Sequence, residues 1–320
     1  MGKLDTMTKQ YMSQPEIFAD AFNYLLYNGE RMIMPDTLRS VDTTEIITPY
    51  GNGAKAPIQK YRDNMKVWAA MHDGRAVYVL LGSENQSKVH YAMPVKDMLY
   101  DSINYAAQVD AARRSFKELK FDDDGVKITL TAEEFLSGFR KGDKLIPVIT
   151  AVVLFNPDEW DAPLSIHEML DVDERLLPFI PDYKINLIAP ARIDESDFTS
   201  REHEGKFHTG FGTLMQVIKH KNEKSVHDVF LNSPLVDTAS ADIIEEISNV
   251  KFKRVYDEKG DVDMCKGMEI VINEERAEAT ENTLLQNIKM MMKNAHFTLE
   301  QAFNTLEVPL ADQPRLAGLL

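Results

Sequence analysis

Residues 14–30, QPEIFADAFNYLLYNGE, place apolar side chains at 18, 22, 25 and 26, which line one face of a helix. Pro15 and Glu16 suit its first turn and Asn28-Gly29 its end. MPDTLRSVDTTEI (34–46) reads as a loop leading into a short strand, and the Gly- and Pro-rich ITPYGNGAKAP (47–57) as a loop. Two strand-like runs follow, IQKYRDNMKVWAAM and RAVYVLLGSEN, joined by His72-Asp73-Gly74. Asp-Gly between apolar runs predicts a hairpin with a two-residue turn.

YAMPVKDMLYDSINYAAQVDAARRSF then predicts a long helix with a proline near its start, and FDDDGVKITLTAEEF an acidic, exposed, turn-rich segment. KLIPVITAVVLF is almost wholly apolar and β-branched, the pattern of an interior strand covered on both faces. NPDEWDAPLSIHEML reads as a loop entering a short helix, and INLIAP as a second short buried strand. From about residue 211 the pattern turns helical, in FGTLMQVIKH, DIIEEISNV and NTLLQNIKMMMKNAHFTLEQAFNTLEV. No internal repeat is present. This order predicts a mixed α/β core, with a linker to a helical tail around 257–275, where DEKGDVD occurs.

Composition narrows the picture. Of 320 residues 44% are hydrophobic, enough for a globular core. The single cysteine, Cys265, precludes an intrachain disulfide and fits a reducing cytoplasm. It lies in VDMCKGM with no His or Cys nearby, so a structural role as a small hydrophobe is expected. The polar start MGKLDTMTKQYMSQ has no apolar signal-peptide region, and no stretch approaches the roughly 18 apolar residues of a membrane span. MGKLDT formally fits the short myristoylation pattern through Gly2 and Thr6, but no second membrane signal accompanies it. A cytoplasmic protein without membrane contact is expected.

The net charge of −15 argues against a protein that simply coats nucleic acid. Residues 1–160 carry 19 Lys/Arg against 22 Asp/Glu, a net of −3, whereas 161–320 carry 17 against 29, a net of −12. A basic groove can therefore exist in the first half, and a bound metal would offset some of the acid.

The hairpin carries the candidate chemistry. With Asp73 and Gly74 as turn residues, cross-strand partners have numbers adding to 147, and Asp63 faces Glu84 with Cβ atoms roughly 5 Å apart. Gln86 shares the face of Glu84 by strand alternation. Met65/Gly82, Val67/Leu80 and Ala69/Tyr78 would form an apolar wall on that same face. Facing carboxylates repel unless something binds between them. Asp63, Glu84 and the carbonyl of Asn85 would seat Mg2+, with Mn2+ or Ca2+ as substitutes. Two solvated surface acids, or a longer turn, give the plainer reading of the same pattern.

The order FADAFNYLLY, KYRDNMKVW, VLLGSENQ and MPVKDMLYDSINYA resembles the recombination-promoting nuclease family, bacterial proteins that also carry a transposase label. FLSGFRKGDKLIPVIT, DEWDAPLSIHEML and PDYKINLIAP add to the resemblance, which covers roughly residues 5–195. The tail, ending NIKMMMKNAHFTLEQAFNTLEV, is similar to the helical C-terminal region of the same proteins. The resemblance implies a PD-(D/E)xK restriction-endonuclease-like α/β core, a mixed central sheet flanked by helices, with a helical C-terminal extension. It implies a nuclease-like domain over 1–256, and an acidic linker and helical tail over 257–320. It also implies a metal-dependent DNA endonuclease linked to recombination or phage defence. Catalysis would rest on Asp63, Glu84 and Gln86, with Gln86 standing where most such enzymes have lysine, so that no ammonium steadies the reacting groups. The metal would lie on Asp63, Glu84 and Asn85. The family's first helix often supplies another acid, for which Asp20 is the best match; a solvated helix residue is the equal alternative. A catalytically inactive member acting as a binding module is the competing function.

Other features carry less. Lys60, Arg62 and Lys66 flank the site, but alternation puts them on the face opposite Asp63, as solvated charge or helix contacts; Lys88 and Lys96 rank behind them. Eight histidines show no HExxH or clustered ligand spacing, and zinc at His203 and His208 is not favoured. FHTGFGT has the wrong glycine spacing for a dinucleotide site, and neither GxSxG nor a P-loop occurs. Met290, Met291 and Met292 with Leu284, Leu285 and Ile288 predict core or oligomer contact. FTLEQAFNTLEVP, with Thr298 as its cap, offers Gln301 and Asn304 but no basic residue to DNA, and reads as a dimerisation or interaction helix. A homodimer through helical segments is expected.

Overall fold

The structure, a computed structural model, describes residues 2–41, 44–47, 58–61, 63–72, 75–118 and 129–320. In chain order its strands are β1 (Leu38–Ser40), β2 (Thr44–Ile47), β3 (Ile58–Tyr61), β4 (Asn64–His72), β5 (Arg75–Gln86), β6 (Val148–Leu154) and β7 (Asn186–Ile188). Among the described residues these make a five-stranded sheet, ordered β1-β4-β5-β6-β7, and a two-stranded β2-β3 sheet. β1, β4 and β5 pair antiparallel, whereas β5, β6 and β7 pair parallel.

The apolar runs of β5 and β6 follow from their central places. On one face Val79 and Leu81 pack with Trp68, Phe18 and Phe22 of helix α2 (Pro15–Tyr27). On the other, Leu80 packs with Met65 and Val148 against Tyr105 of α3 (Met93–Glu118). The molecule is thus α/β, a mixed sheet between helices. The loop ITPYGNGAKAP lies outside the described residues except for Ile47, and so do the turn residues Asp73 and Gly74. α2 ends where expected: Asn28 takes the left-handed conformation (φ 53°) and Gly29 follows at φ +92°, with the Lys206 carbonyl 2.7 Å from where a Cβ would stand. Only glycine fits both conditions.

Two helices were not expected, one of them the short Ala132–Ser137 at the end of the segment read as turn-rich. The polar N-terminal segment forms α1 (Lys3–Ser13), with Tyr11 and Met12 buried. Tertiary bonds hold it. Tyr11 Oη lies 2.8 Å from Ser240 Oγ, Asn64 Nδ2 donates to Lys9 O at 3.2 Å, and Lys66 Nζ donates to Ser13 O at 2.9 Å.

Past the short α4 (Ala132–Ser137) and the sheet, α5 (Gly210–His220), α6 (Val226–Asn232) and α7 (Thr238–Ser248) pack with α1, α2 and the start of α8 (Met264–Asn294) in the largest core. The stretch DEKGDVD is not where the chain leaves that core. Tyr256 bridges Val262, and Met264 and Met268, in the first turns of α8, are buried. The chain departs along α8 itself, where residues 273–280 are exposed on every side. Beyond them Ile288, Ala302, Phe303, Val308 and Leu316 form a separate small core with α9 (Leu299–Thr305) and α10 (Gln313–Ala317). Thr298 caps α9, its Oγ1 accepting from Gln301 N at 3.2 Å. Among the described residues no helix is long and apolar enough to cross a membrane.

Candidate functional site

The β4-β5 ladder runs in the expected register, pairing Met65 with Gly82, Val67 with Leu80, Ala69 with Tyr78, and His72 with Arg75. Its last rung joins Asn64 to Ser83. Asp63 stands one residue beyond, at a bend beside the position facing Glu84. There a side chain replaces the missing rung: Asp63 Oδ2 accepts the Asn85 N–H at 2.9 Å. The N–H and C=O of one residue in an extended strand point to the same side. The Asn85 carbonyl is therefore directed toward Asp63 as well. On the other side β5 stays paired with β6, at Glu84↔Val152 and Gln86↔Leu154, so these side chains ride on a well-fixed strand.

Glu84 is 2% exposed. A carboxylate that deep needs a partner. Lys96, near the start of α3, supplies one, its Nζ 2.7 Å from Glu84 Oε2. Burial alone would lower the Lys96 ammonium, but Glu84, and more weakly Asp63, outweigh it, and the net direction is up. Lys96 also lies 5.7 Å from the centre of the Tyr100 ring. The expectation that no ammonium stands at the site is thereby corrected: the cation comes from a helix, not from position 86. The sequence ranked Lys96 only as a weak flanking contact, and its (i, i+4) spacing from Tyr100 is too common to pair it with Glu84.

Asp63, Glu84, Asn85 and Gln86 line one cavity of about 380 Å3, together with Lys96 and Tyr100. Asp5 and Thr8 of α1 close one side, and Lys88 and His90 lie at another. Among the described residues the buried Asn85 Oδ1 and Nδ2 atoms and Ser83 Oγ have no hydrogen-bond partner. The donor set, two carboxylates and a directed carbonyl, is all hard oxygen and fits Mg2+. No cluster of three or more His, Cys, Asp or Glu suited to a metal occurs among the described residues, so an ion here would keep several waters, as Mg2+ does.

Asp20 is not part of this cleft. Its carboxylate accepts from His208 N at 3.0 Å, Thr209 N at 3.0 Å and Thr209 Oγ1 at 2.7 Å, holding the start of α5. Burial raises its carboxyl, and the donors only partly offset this. It lines a different cavity of about 210 Å3, with Arg31, Ile33 and Met34. The helix acid at the cleft is Asp5, on the helix that the sequence pattern did not reveal.

Lys66 makes the expected helix contact, donating to Ser13 O and, at 3.2 Å, to Ser40 Oγ. Arg62 and the side chain of Lys60 lie outside the described residues. His203 Nε2 is 2.9 Å from Ser196 O, within its own loop, and His208 Nε2 is 2.7 Å from Gly29 O at the end of α2, so each ring is engaged with a backbone carbonyl. Comparison of the chain with known protein families, with curated proteins and with solved structures finds no match.

Proposed function

We propose that this chain is a divalent-metal-dependent DNA endonuclease of the PD-(D/E)xK type, cytoplasmic and acting in recombination or phage defence. The observation that carries the reading is the meeting of Asp63, Glu84 and Lys96 in one cleft at the end of the central strand β5.

Asp63, Glu84 and the Asn85 carbonyl would hold Mg2+, which when bound supplies Lewis-acid charge and a more acidic water. Lys96 keeps its proton, and its ammonium would stabilise the negative charge that develops on the phosphate oxygens. Gln86 would orient the attacking water through its amide; it has no titratable group and is not a base. Lys88 and His90, on the cleft wall, would meet the flanking backbone. One cleft serves one strand, so cutting a duplex through needs two copies.

The binding-module reading has one specific support: both acids are already bonded within the chain, Asp63 to an N–H and Glu84 to Lys96. Supercoiled plasmid incubated with Mg2+, Mn2+ or Ca2+ separates the two. Nicking by the wild type that falls at least about 100-fold in Asp63→Asn supports the enzyme. Asparagine can still accept the Asn85 N–H, so the fold is retained. Nicking that is absent, or equal in both proteins, leaves the binding module.

A further inference from the structure

α8 carries a charge pattern that the single chain does not satisfy. Glu274 pairs with Lys253 at 3.1 Å and Glu281 with Arg315 at 2.6 Å. Glu275 and Glu278 on one side, and Lys289 and Lys293 on the other, are exposed and make no ion pair among the described residues. Glu278, Asn282, Leu285 and Lys289 follow a 4-3-4 spacing, so they form one stripe along the helix. This stripe lines a groove of about 800 Å3, with Gln286 and Leu319 at its sides. Eleven residues of helix separate Glu278 from Lys289, roughly 16 Å along the axis, too far for them to meet within one chain.

We infer that two copies of this chain associate through antiparallel α8 helices, the Glu275 and Glu278 end of each lying on the Lys289 and Lys293 end of the other. A two-fold axis near the middle of the stripe makes every charge pair occur twice. A parallel pair would set glutamate on glutamate and lysine on lysine, so the pattern selects orientation as well as partner. Residues 273–280, exposed all round and polar, gain a neighbour in this arrangement. Because the paired charges stay at the rim, the dimer is modest in strength and sensitive to salt.

Sedimentation velocity of the full chain tests this at roughly 50 mM and roughly 500 mM salt. The expected result is a dimer at low salt that weakens on the order of tenfold at high salt. Lys289→Glu with Lys293→Glu gives a monomer, as does Glu275→Lys with Glu278→Lys, and an equal mixture of the two double variants restores the dimer. All four residues are exposed, and circular dichroism confirms that each variant is folded. A wild type that is monomeric at low salt, a dimer untouched by either reversal, or folded variants that fail to associate when mixed would each overturn the proposal. The readout is mass alone, so it stands apart from any test of DNA cleavage.

Discussion

Glu84 would be a costly residue at the end of a central strand without Lys96. Removing one member of a buried pair strands the other, and Lys96→Met is expected to lower stability by about 3 kcal/mol in urea unfolding. Lys96→Arg, which keeps the charge, is expected to retain most of that stability. The pH sign follows from the ammonium being held above its ordinary value of 10.5. Its contribution is complete below that value and is lost only as pH rises through the higher folded value. The wild type should therefore lose stability at strongly alkaline pH faster than Lys96→Met does. Asp63 and Glu84 were legible because a hairpin fixes partners by simple arithmetic. Lys96 ranked only as a weak flanking candidate and its pairing was not legible, because it reaches Glu84 from a helix across the sheet face, and no local periodicity encodes that meeting. Asp20 misled for the converse reason: an acid on an amphipathic helix looks the same whether it serves a cleft or, as here, caps a helix nearly two hundred residues away.

Whole elements were read best where burial on two faces forces a pure pattern, as in β5 and β6. α1 escaped because its sequence is polar, and its helix is secured by Tyr11, Met12 and bonds from Asn64 and Lys66 rather than by its own stripe. Contacts of this kind also decide two substitutions. A Cβ at Gly267 would stand 2.1 Å from the Lys253 carbonyl oxygen, where α8 crosses the backbone. Gly267→Ala should therefore cost about 2 kcal/mol on thermal melting, although alanine favours a helix by about 1 kcal/mol elsewhere. At the other end of the helical layer, Lys219 Nζ lies 2.8 Å from Glu195 Oε1. Burial would raise the Glu195 carboxyl, but Lys219 and His220 prevail and lower it. Its stabilisation is present above the ordinary 4.5 and is lost as pH falls through the lower folded value. Lys219→Met should flatten that acid limb of the stability curve.

At the scale of the molecule, the sequence placed the boundary between core and tail at an acidic turn, because Gly and Asp usually end packed structure. The turn is in fact pinned by Val262, and the separation falls inside a continuous helix whose midsection is exposed and tied back only at Glu274, to Lys253, among the described residues. Hydrogen exchange should register this directly in the monomer, at roughly 500 mM salt, with amides of 273–280 exchanging on the order of 100-fold faster than those of 264–270. Equal protection along α8 in the monomer would mean that the midsection is covered by its own chain. The net of −12 in residues 161–320 belongs largely to the helical layers and the tail, while the acids of the cleft come from the near-neutral first half.

A bare helix between two packed bodies behaves as a rotary spacer. Each residue added within 273–280 would turn everything C-terminal to it by roughly 100° and push it out by roughly 1.5 Å. Two extra residues would swing the distal helices to nearly the opposite side of the axis, whereas seven would restore their heading at roughly 10 Å greater reach. The bearing of the tail relative to the cleft is thus written in a residue count, and can be reset without touching either body.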